Sequence, residues 1–199
     1  MSEQRAAVEA RIRAAATATN WRAAAAGVLE GYGDEILGYL VAVMRSETDA
    51  EDAFSMFCES VCTALPQFRW ECTVRTWAYS LARNAAYGVR RDPHRRRVVP
   101  LADHHLEEIA AQLRTRTSSY LRTEMRDKIA KLRASLDPDD QTLLILRLSR
   151  GLTWREIARV LAADGSSTDA ALDKLTASLR KRFERLKAEI KERARSLED

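Results

Sequence analysis

Apolar side chains recur every three or four residues along most of the chain, the spacing of helices that bury one face. Ala-rich helix formers run from about Glu3 to Leu29 and end at a cluster of three glycines, Gly27, Gly31 and Gly33. A further helix is predicted from about Asp34 to Arg45. Alternating strand patterns and hairpin turns do not stand out. The sequence therefore predicts an all-α protein.

The next two helices are separated by a loop that a proline marks. Thr48 or Asp49 is expected to cap a helix that continues to about Leu65 and stops at Pro66. After loop 67–71, another helix is predicted to about residue 91. The buried stripe of that helix is expected to consist of Val74, Trp77, Leu81 and Ala85.

Regular periodicity weakens between residues 93 and 119 and returns at about 120–136. Two prolines, a basic run and a polar stretch predict a linker here, with one short helix around 106–113. The fold prediction is thus two small helical domains joined by a linker. The predicted parts are an Ala-rich N-terminal extension at 1–30, a first domain at 31–95, a linker at 96–119 and a second domain at 120–199.

The second domain has strong local signals. Asp137 can cap a helix with Pro138 at its first position, and Gly151 ends that helix. Thr153 and Glu156 form a capping box for a short helix over 154–163. The last helical region, 169–195, either begins near residue 168 or breaks near 174–176. This order of helices is that of a helix-turn-helix, whose second helix enters the major groove of DNA.

Charge is unevenly distributed along the chain. The whole chain has a net charge of +4, whereas residues 83–97 carry +5 and residues 174–195 carry +6, which leaves the remainder at −7. Two basic blocks far apart in sequence suit a polyanion that is contacted at two places. Solvated helix faces are the alternative interpretation of either block.

Several classes of protein are excluded or disfavoured. Charged residues interrupt every apolar run and the N-terminus lacks an apolar signal segment, so a soluble, cytoplasmic protein without membrane insertion is expected. Three cysteines without an export signal argue against disulfides, and Cys58 and Cys62 have no further metal ligands nearby. No metal and no cofactor is expected. An enzyme is not expected either, since no nucleophile–base pair or phosphate loop is apparent.

Two constellations carry the candidate chemistry. Four acids stand close together at the start of one helix, Glu47, Asp49, Glu51 and Asp52, and capping explains one or two of them. Further on, aromatic residues interleave with arginines. These residues are Phe68, Arg69, Trp70, Arg75, Trp77, Tyr79, Arg83, Tyr87, Arg90 and Arg91. Rings that stack on bases beside guanidiniums that hold phosphates are what single-stranded nucleic acid requires. For Trp77, a place in the core is an equal alternative.

These residues resemble a known family. Thr48–Phe54, Leu65–Arg69 and Val74–Ala86, followed by a basic run, look like region 2 of the extracytoplasmic-function group of bacterial sigma factors. Leu136–Leu144 and Gly151–Ala158 look like the start of region 4. The order and spacing of these stretches make the resemblance specific, although no single motif is decisive.

The resemblance implies a role for each stretch. In the family the acidic helix start docks on the largest polymerase subunit, which here implicates Asp49, Glu51 and Asp52 in binding core RNA polymerase. A loop and the helix after it capture a flipped base of the promoter minus-ten element. The residues implied there are Phe68, Arg69, Trp70, Thr73, Val74, Trp77, Arg83 and Asn84. The minus-thirty-five element would be read by Arg180, Lys181, Arg182 and Arg185, since these cations suit phosphates and the arginine guanidiniums also suit guanine edges.

The expected function is therefore an alternative sigma factor that brings core RNA polymerase to promoter DNA and helps to open it. In this family an anti-sigma partner commonly holds the two domains closed, which the predicted linker permits. Ser55 and Met56 stand where the family usually has a Gln followed by an acid, which predicts weaker or conditional docking. The alternatives are a helix-turn-helix regulator that binds DNA without being a polymerase subunit, and an enzyme or helical interaction protein that binds no DNA.

Overall fold

Helices make up all the regular structure in residues 2–44, 46–92, 103–124, 136–162 and 168–195, which the computed structural model describes. The predicted all-α class is confirmed. The helices are α1 (Ser2–Thr17), α2 (Trp21–Val43), α3 (Glu47–Ala64), α4 (Val74–Arg91), α5 (His104–Glu124), α6 (Pro138–Leu144), α7 (Trp154–Leu161) and α8 (Asp169–Arg195). Leu65–Gln67 forms a 3₁₀ turn after α3, and Ile145–Ser149 forms a π-helical turn after α6.

The chain divides into two compact units, Met1–Met125 and Arg126–Asp199. The first contains α1 to α5, with α2 packed against α1, α3, α4 and α5. Part of the linker predicted at 96–119 is a packed helix instead. Residues 104–119 belong to α5, which lies against α2 and α3. Residues 96–102 of that linker, and residues 125–135 of the predicted helix 120–136, lie outside the described residues.

The three glycines lie inside α2 instead of ending a helix, which corrects the prediction for this segment. The break comes earlier, where Thr19 adopts a φ of 56° and the Asn20 side chain accepts a hydrogen bond from the Ala23 N–H. The glycines are needed for close packing. A Cβ on Gly31 would lie 2.5 Å from Cγ1 of Val8 in α1, and a Cβ on Gly27 would lie 2.9 Å from Ile12.

Caps and breakers explain the ends of α3 and α4. Ser46 caps α3 by accepting from the Asp49 N–H at 3.0 Å, so the expected cap at residue 48 or 49 was wrong. The helix ends as predicted before Pro66. Thr73 caps α4 in the same way. The buried stripe of α4 contains Val74, Ala78, Ala82, Ala85, Ala86 and Val89, so Trp77 and Leu81 are half-buried at its margin.

A buried ion pair joins α4 to α2. The Arg75 guanidinium, with its side chain 9% exposed, donates to both carboxylate oxygens of Glu35. The Tyr79 hydroxyl donates to the same carboxylate at 2.8 Å. Removing one member of such a buried pair typically costs about 3–5 kcal/mol, because the other charge is left without compensation. The pair therefore fixes the position of α4 along α2.

Local signals in the second unit are confirmed. Asp137 caps α6 with Pro138 at the first position, and the capping box of Thr153 and Glu156 opens α7. Gly151, between them, has a φ of 66°, where glycine carries no Cβ penalty. Of the two alternatives for the last helix, the first is confirmed: α8 begins at Asp169 and continues without a break.

We expect Gly33→Ala to lower the free energy of unfolding by about 1–3 kcal/mol through overpacking. A Cβ at this position would lie 2.4 Å from Cδ1 of Leu113, a side chain of α5 that is 1% exposed. Gly88→Ala is the matched control, because its Cβ would meet the flexible end of Met56 at 2.8 Å. The control should be neutral or stabilising. Urea unfolding measures both variants, and equal effects would contradict the packing of α5 on α2.

Candidate nucleic-acid interface

Three aromatic rings lie together at the loop between α3 and α4. The ring centroids of Phe68 and Trp77 are 4.8 Å apart in a stacked arrangement, and those of Phe68 and Trp70 are 4.9 Å apart. All three side chains are half-buried, so each is held in place and still has an accessible part. Trp70 adopts a φ of 59°, which costs a residue with a Cβ on the order of 1–3 kcal/mol. The loop is therefore held in a strained conformation.

Cationic side chains occur at this loop and further along α4. Arg13 of α1 places its guanidinium carbon 5.4 Å from the Trp70 ring centroid, a cation–π distance. Arg69 is exposed and pairs with Glu71 at 3.5 Å. Further along α4, the guanidinium carbon of Arg83 lies 4.7 Å from the ring centroid of Tyr87. Rings that can stack and guanidiniums that can hold phosphates thus occur on the loop and on α4.

The structure brings most of the predicted minus-ten residues together. Phe68, Arg69 and Trp70 lie in the loop, and Trp77 contacts Phe68. Asn84 lies two helical turns from Trp77 on the open face of α4 and is exposed. Two other predicted residues have structural roles, since the Thr73 side chain caps α4 and the Val74 side chain is fully buried.

Sequence reasoning missed the contribution of α1 to this loop. The carboxylate of Glu9 accepts hydrogen bonds from the Val74 N–H at 2.8 Å and from the Arg75 N–H at 3.1 Å. The Tyr32 hydroxyl donates to the same carboxylate at 2.7 Å. Burial raises the pKa of Tyr32, and the hydrogen bond to Glu9 raises it further. No local motif links residues 9 and 74, so only the folded chain reveals this contact.

The predicted polymerase-binding acids lie in the first turns of α3. Glu51 is exposed, while Asp49 and Asp52 are half-buried. The Oδ2 atom of Asp52 is buried. The helix N-terminus stabilises negative charge in the first turn, which includes Asp49. Of the three, Glu51 is the most accessible to a partner.

Ser55, one turn further along α3, is 6% exposed. Its hydroxyl donates to the Glu51 carbonyl at 2.9 Å and accepts from the Arg114 guanidinium of α5 at 2.9 Å. Arg114 also pairs with Glu107 at 3.1 Å and lies 5.8 Å from the Phe54 ring. The position where the family usually has Gln is therefore covered by α5.

The predicted minus-thirty-five residues all lie on α8 but differ in their surroundings. Arg180, Lys181 and Arg185 are exposed. Arg182 pairs with Asp140 of α6 and with Asp137, and its hydrogen bond to Asp140 raises its pKa. Three of the four cations are thus available to a polyanion, while Arg182 joins α8 to α6.

Lys174 of α8 was not among the predicted minus-thirty-five residues. Lys174 is exposed and lies two helical turns before Lys181 on the same face, opposite the buried residues of the helix. Its spacing of seven residues from Lys181 was visible in the sequence. The exposed basic row of α8 is therefore Lys174, Lys181 and Arg185.

Two other kinds of site are absent from the described residues. No cluster of three or more potential metal-binding side chains occurs among them. None of their helices combines the length and the apolar character needed to cross a membrane. Cys58, Cys62 and Cys72 all lie in the described residues and form no disulfide, and burial raises the pKa of the Cys58 thiol.

The comparison with known families points to the same part of the chain. Residues 28–97 match the family model of sigma-70 region 2. No curated protein and no solved structure matches the chain significantly. The matched segment includes α3, α4 and most of α2. It therefore contains the acids of α3 and loop 68–73, which carries Phe68 and Trp70 and is called the aromatic loop below. This segment of the chain, about a third of its length, is therefore similar to region 2 of sigma-70 factors.

Proposed function

We propose that the chain is an alternative sigma factor of the extracytoplasmic-function group, which directs core RNA polymerase to particular promoters and helps to melt them. The observation that carries the proposal is the strained aromatic loop next to α4, within the segment that matches sigma-70 region 2. The chain contributes binding and positioning in the cytoplasm, while the polymerase performs the chemistry. An anti-sigma partner is a further expectation from the resemblance.

At the minus-ten element, the loop would receive a base that has left the DNA stack. Extruding a base costs a few kcal/mol, and stacking on aromatic side chains returns about 1–3 kcal/mol per base. The accessible parts of Phe68, Trp70 and Trp77 supply the stacking surface. Arg69 and Arg83 would hold the backbone of the melted strand, and the Asn84 amide would read a base edge.

At the polymerase, the acids of α3 would pair with cations of the largest subunit. Glu51 is the principal residue because it is exposed, with Asp49 and Asp52 beside it. The cover that α5 places on Ser55 limits the docking surface to the N-terminal turns of α3.

At the minus-thirty-five element, the second unit would act as a helix-turn-helix of region 4 type. The exposed basic row on α8 would contact phosphates and base edges in the major groove, with Arg180 at its margin. Arg182 would act chiefly by holding α8 against α6 through Asp140.

The double variant Asp49→Lys and Glu51→Lys should bind core polymerase at least tenfold more weakly, since like charges at an interface cost several kcal/mol. Glu3→Lys on α1 is the matched control, because Glu3 is exposed in the same unit and lies outside the acid cluster. Quantitative co-purification with core polymerase measures the effect. Absence of binding by the wild-type chain would favour the helix-turn-helix regulator that acts without polymerase.

Asn84→Ala should reduce transcription from selected promoters about tenfold or more while core binding stays unchanged, because one base-edge contact is lost. Gln112→Ala removes an exposed amide from α5 and serves as the control. Reconstituted transcription on a promoter library is the measurement. A transcript pattern identical to that of the wild type would remove Asn84 from the minus-ten site.

The double variant Lys181→Ala and Arg185→Ala should make the negative slope of log affinity against log salt shallower by about 2 for duplex DNA, since each phosphate contact contributes about 0.9 to its magnitude. Lys187→Ala is the control, because Lys187 pairs with Glu184 at 2.8 Å and lies over the Phe183 ring. Fluorescence anisotropy at several salt concentrations gives the slopes. A double variant with the same slope as the wild type would mean that this row does not contact DNA.

A further inference from the structure

Helix α1 contacts the aromatic loop and the helix that follows it from a single face. Glu9 bonds to the first turn of α4, immediately after the loop, and Arg13 lies over the ring of Trp70, four residues before Val74. The two side chains are four residues apart, so one helical turn separates them. A segment that contacts a short loop at two points can determine the distance between those points.

The contact at Glu9 is a helix cap supplied from another helix. The first N–H groups of a helix have no partners within it. Here Glu9 accepts from Val74 and Arg75, while the Thr73 hydroxyl accepts from the Thr76 N–H at 3.1 Å. The negative charge also suits the positive end of the helix dipole. The start of α4 is therefore bound to α1.

The carboxylate of Glu9 is itself held in a fixed direction. The Tyr32 hydroxyl donates to it, and the Tyr32 side chain is 3% exposed in the packed face of α2. The glycines of α2 allow α1 to lie close enough for this contact, since Cβ atoms on Gly27 and Gly31 would collide with Ile12 and Val8. The position of α1 against α2 thus sets the position of the cap.

The contact at Arg13 acts on the strained residue of the loop. Trp70 requires support from its surroundings to keep its positive φ. The Phe68 ring centroid lies 4.9 Å from that of Trp70, and the guanidinium carbon of Arg13 lies 5.4 Å from the Trp70 ring centroid. Without the cation, one of these two supports is lost.

We infer that α1 positions the aromatic loop, with Glu9 and Arg13 as positioning residues that set the geometry of the stacking rings. The inference rests on the proposed function and deepens it, because it assigns a task to the predicted N-terminal extension. Glu9 acts through the backbone of α4 and Arg13 acts through Trp70. Neither residue belongs to the polymerase-binding acids or to the basic row of α8.

The test uses the full chain bound to core polymerase and a fluorescein-labelled single-stranded oligonucleotide. The oligonucleotide carries the minus-ten sequence that the wild-type holoenzyme selects from a random pool. Glu9→Ala should weaken its binding about tenfold or more, and Glu9→Gln, which keeps one acceptor, should fall between Glu9→Ala and the wild type. Core binding and duplex binding should stay within about twofold of the wild type. Glu3→Gln, at an exposed position of the same helix, is the matched control.

Arg13→Ala keeps the test decisive if Glu9→Ala unfolds, because Arg13 is exposed and contributes little to the core. We expect about threefold weaker oligonucleotide binding, restored by Arg13→Lys, and an altered signal from 2-aminopurine at the captured base. Oligonucleotide and core binding that fall together would overturn the inference and indicate general destabilisation. Unchanged oligonucleotide binding in Glu9→Ala and Arg13→Ala would also overturn it. A wild-type holoenzyme that binds no single strand would instead overturn the proposed function.

Discussion

The buried pair of Arg75 and Glu35 is the constraint on which the first unit depends. A guanidinium that is nearly excluded from water must keep its carboxylate partner, so α4 cannot slide along α2 without a cost of several kcal/mol. The Tyr79 hydroxyl uses the same carboxylate, and the Tyr79 ring meets that of Tyr39 edge-on at 5.4 Å. With α4 fixed in this way, its open face carries Trp77 next to the aromatic loop and Asn84 two helical turns further along.

Much of the fold follows from local signals that the sequence displays. The cap at Asp137, the capping box at Thr153 and the stop before Pro66 are each determined by neighbouring residues, so the predicted ends of these helices agree with the structure. Glycine is ambiguous because it both ends helices and allows close packing. Which role applies to Gly31 and Gly33 depends on Val8 and Leu113, which lie far away in sequence.

The candidate site was predictable in its composition and less so in its geometry. Aromatic residues beside arginines indicated the loop, and their clustering agrees with that expectation. The cap from Glu9 was not predictable, because it joins residues 65 positions apart, and no local motif marks the positive φ of Trp70. Arg182 is a similar case. Nothing near it in sequence shows that Asp140, 42 residues earlier, holds its guanidinium.

The unbroken course of α8 determines where its cations lie. Because the helix begins at Asp169, its first two turns carry two acids, and Arg155 of α7 pairs with both of them, Asp169 and Asp173. The negative charge nearest the helix start is thereby partly neutralised within the unit. The exposed basic residues begin at Lys174 and continue through the middle of the helix. A duplex that contacted α8, as proposed, would meet its positive face from the second turn onward, so a long helix could present phosphate contacts although it begins with an acid.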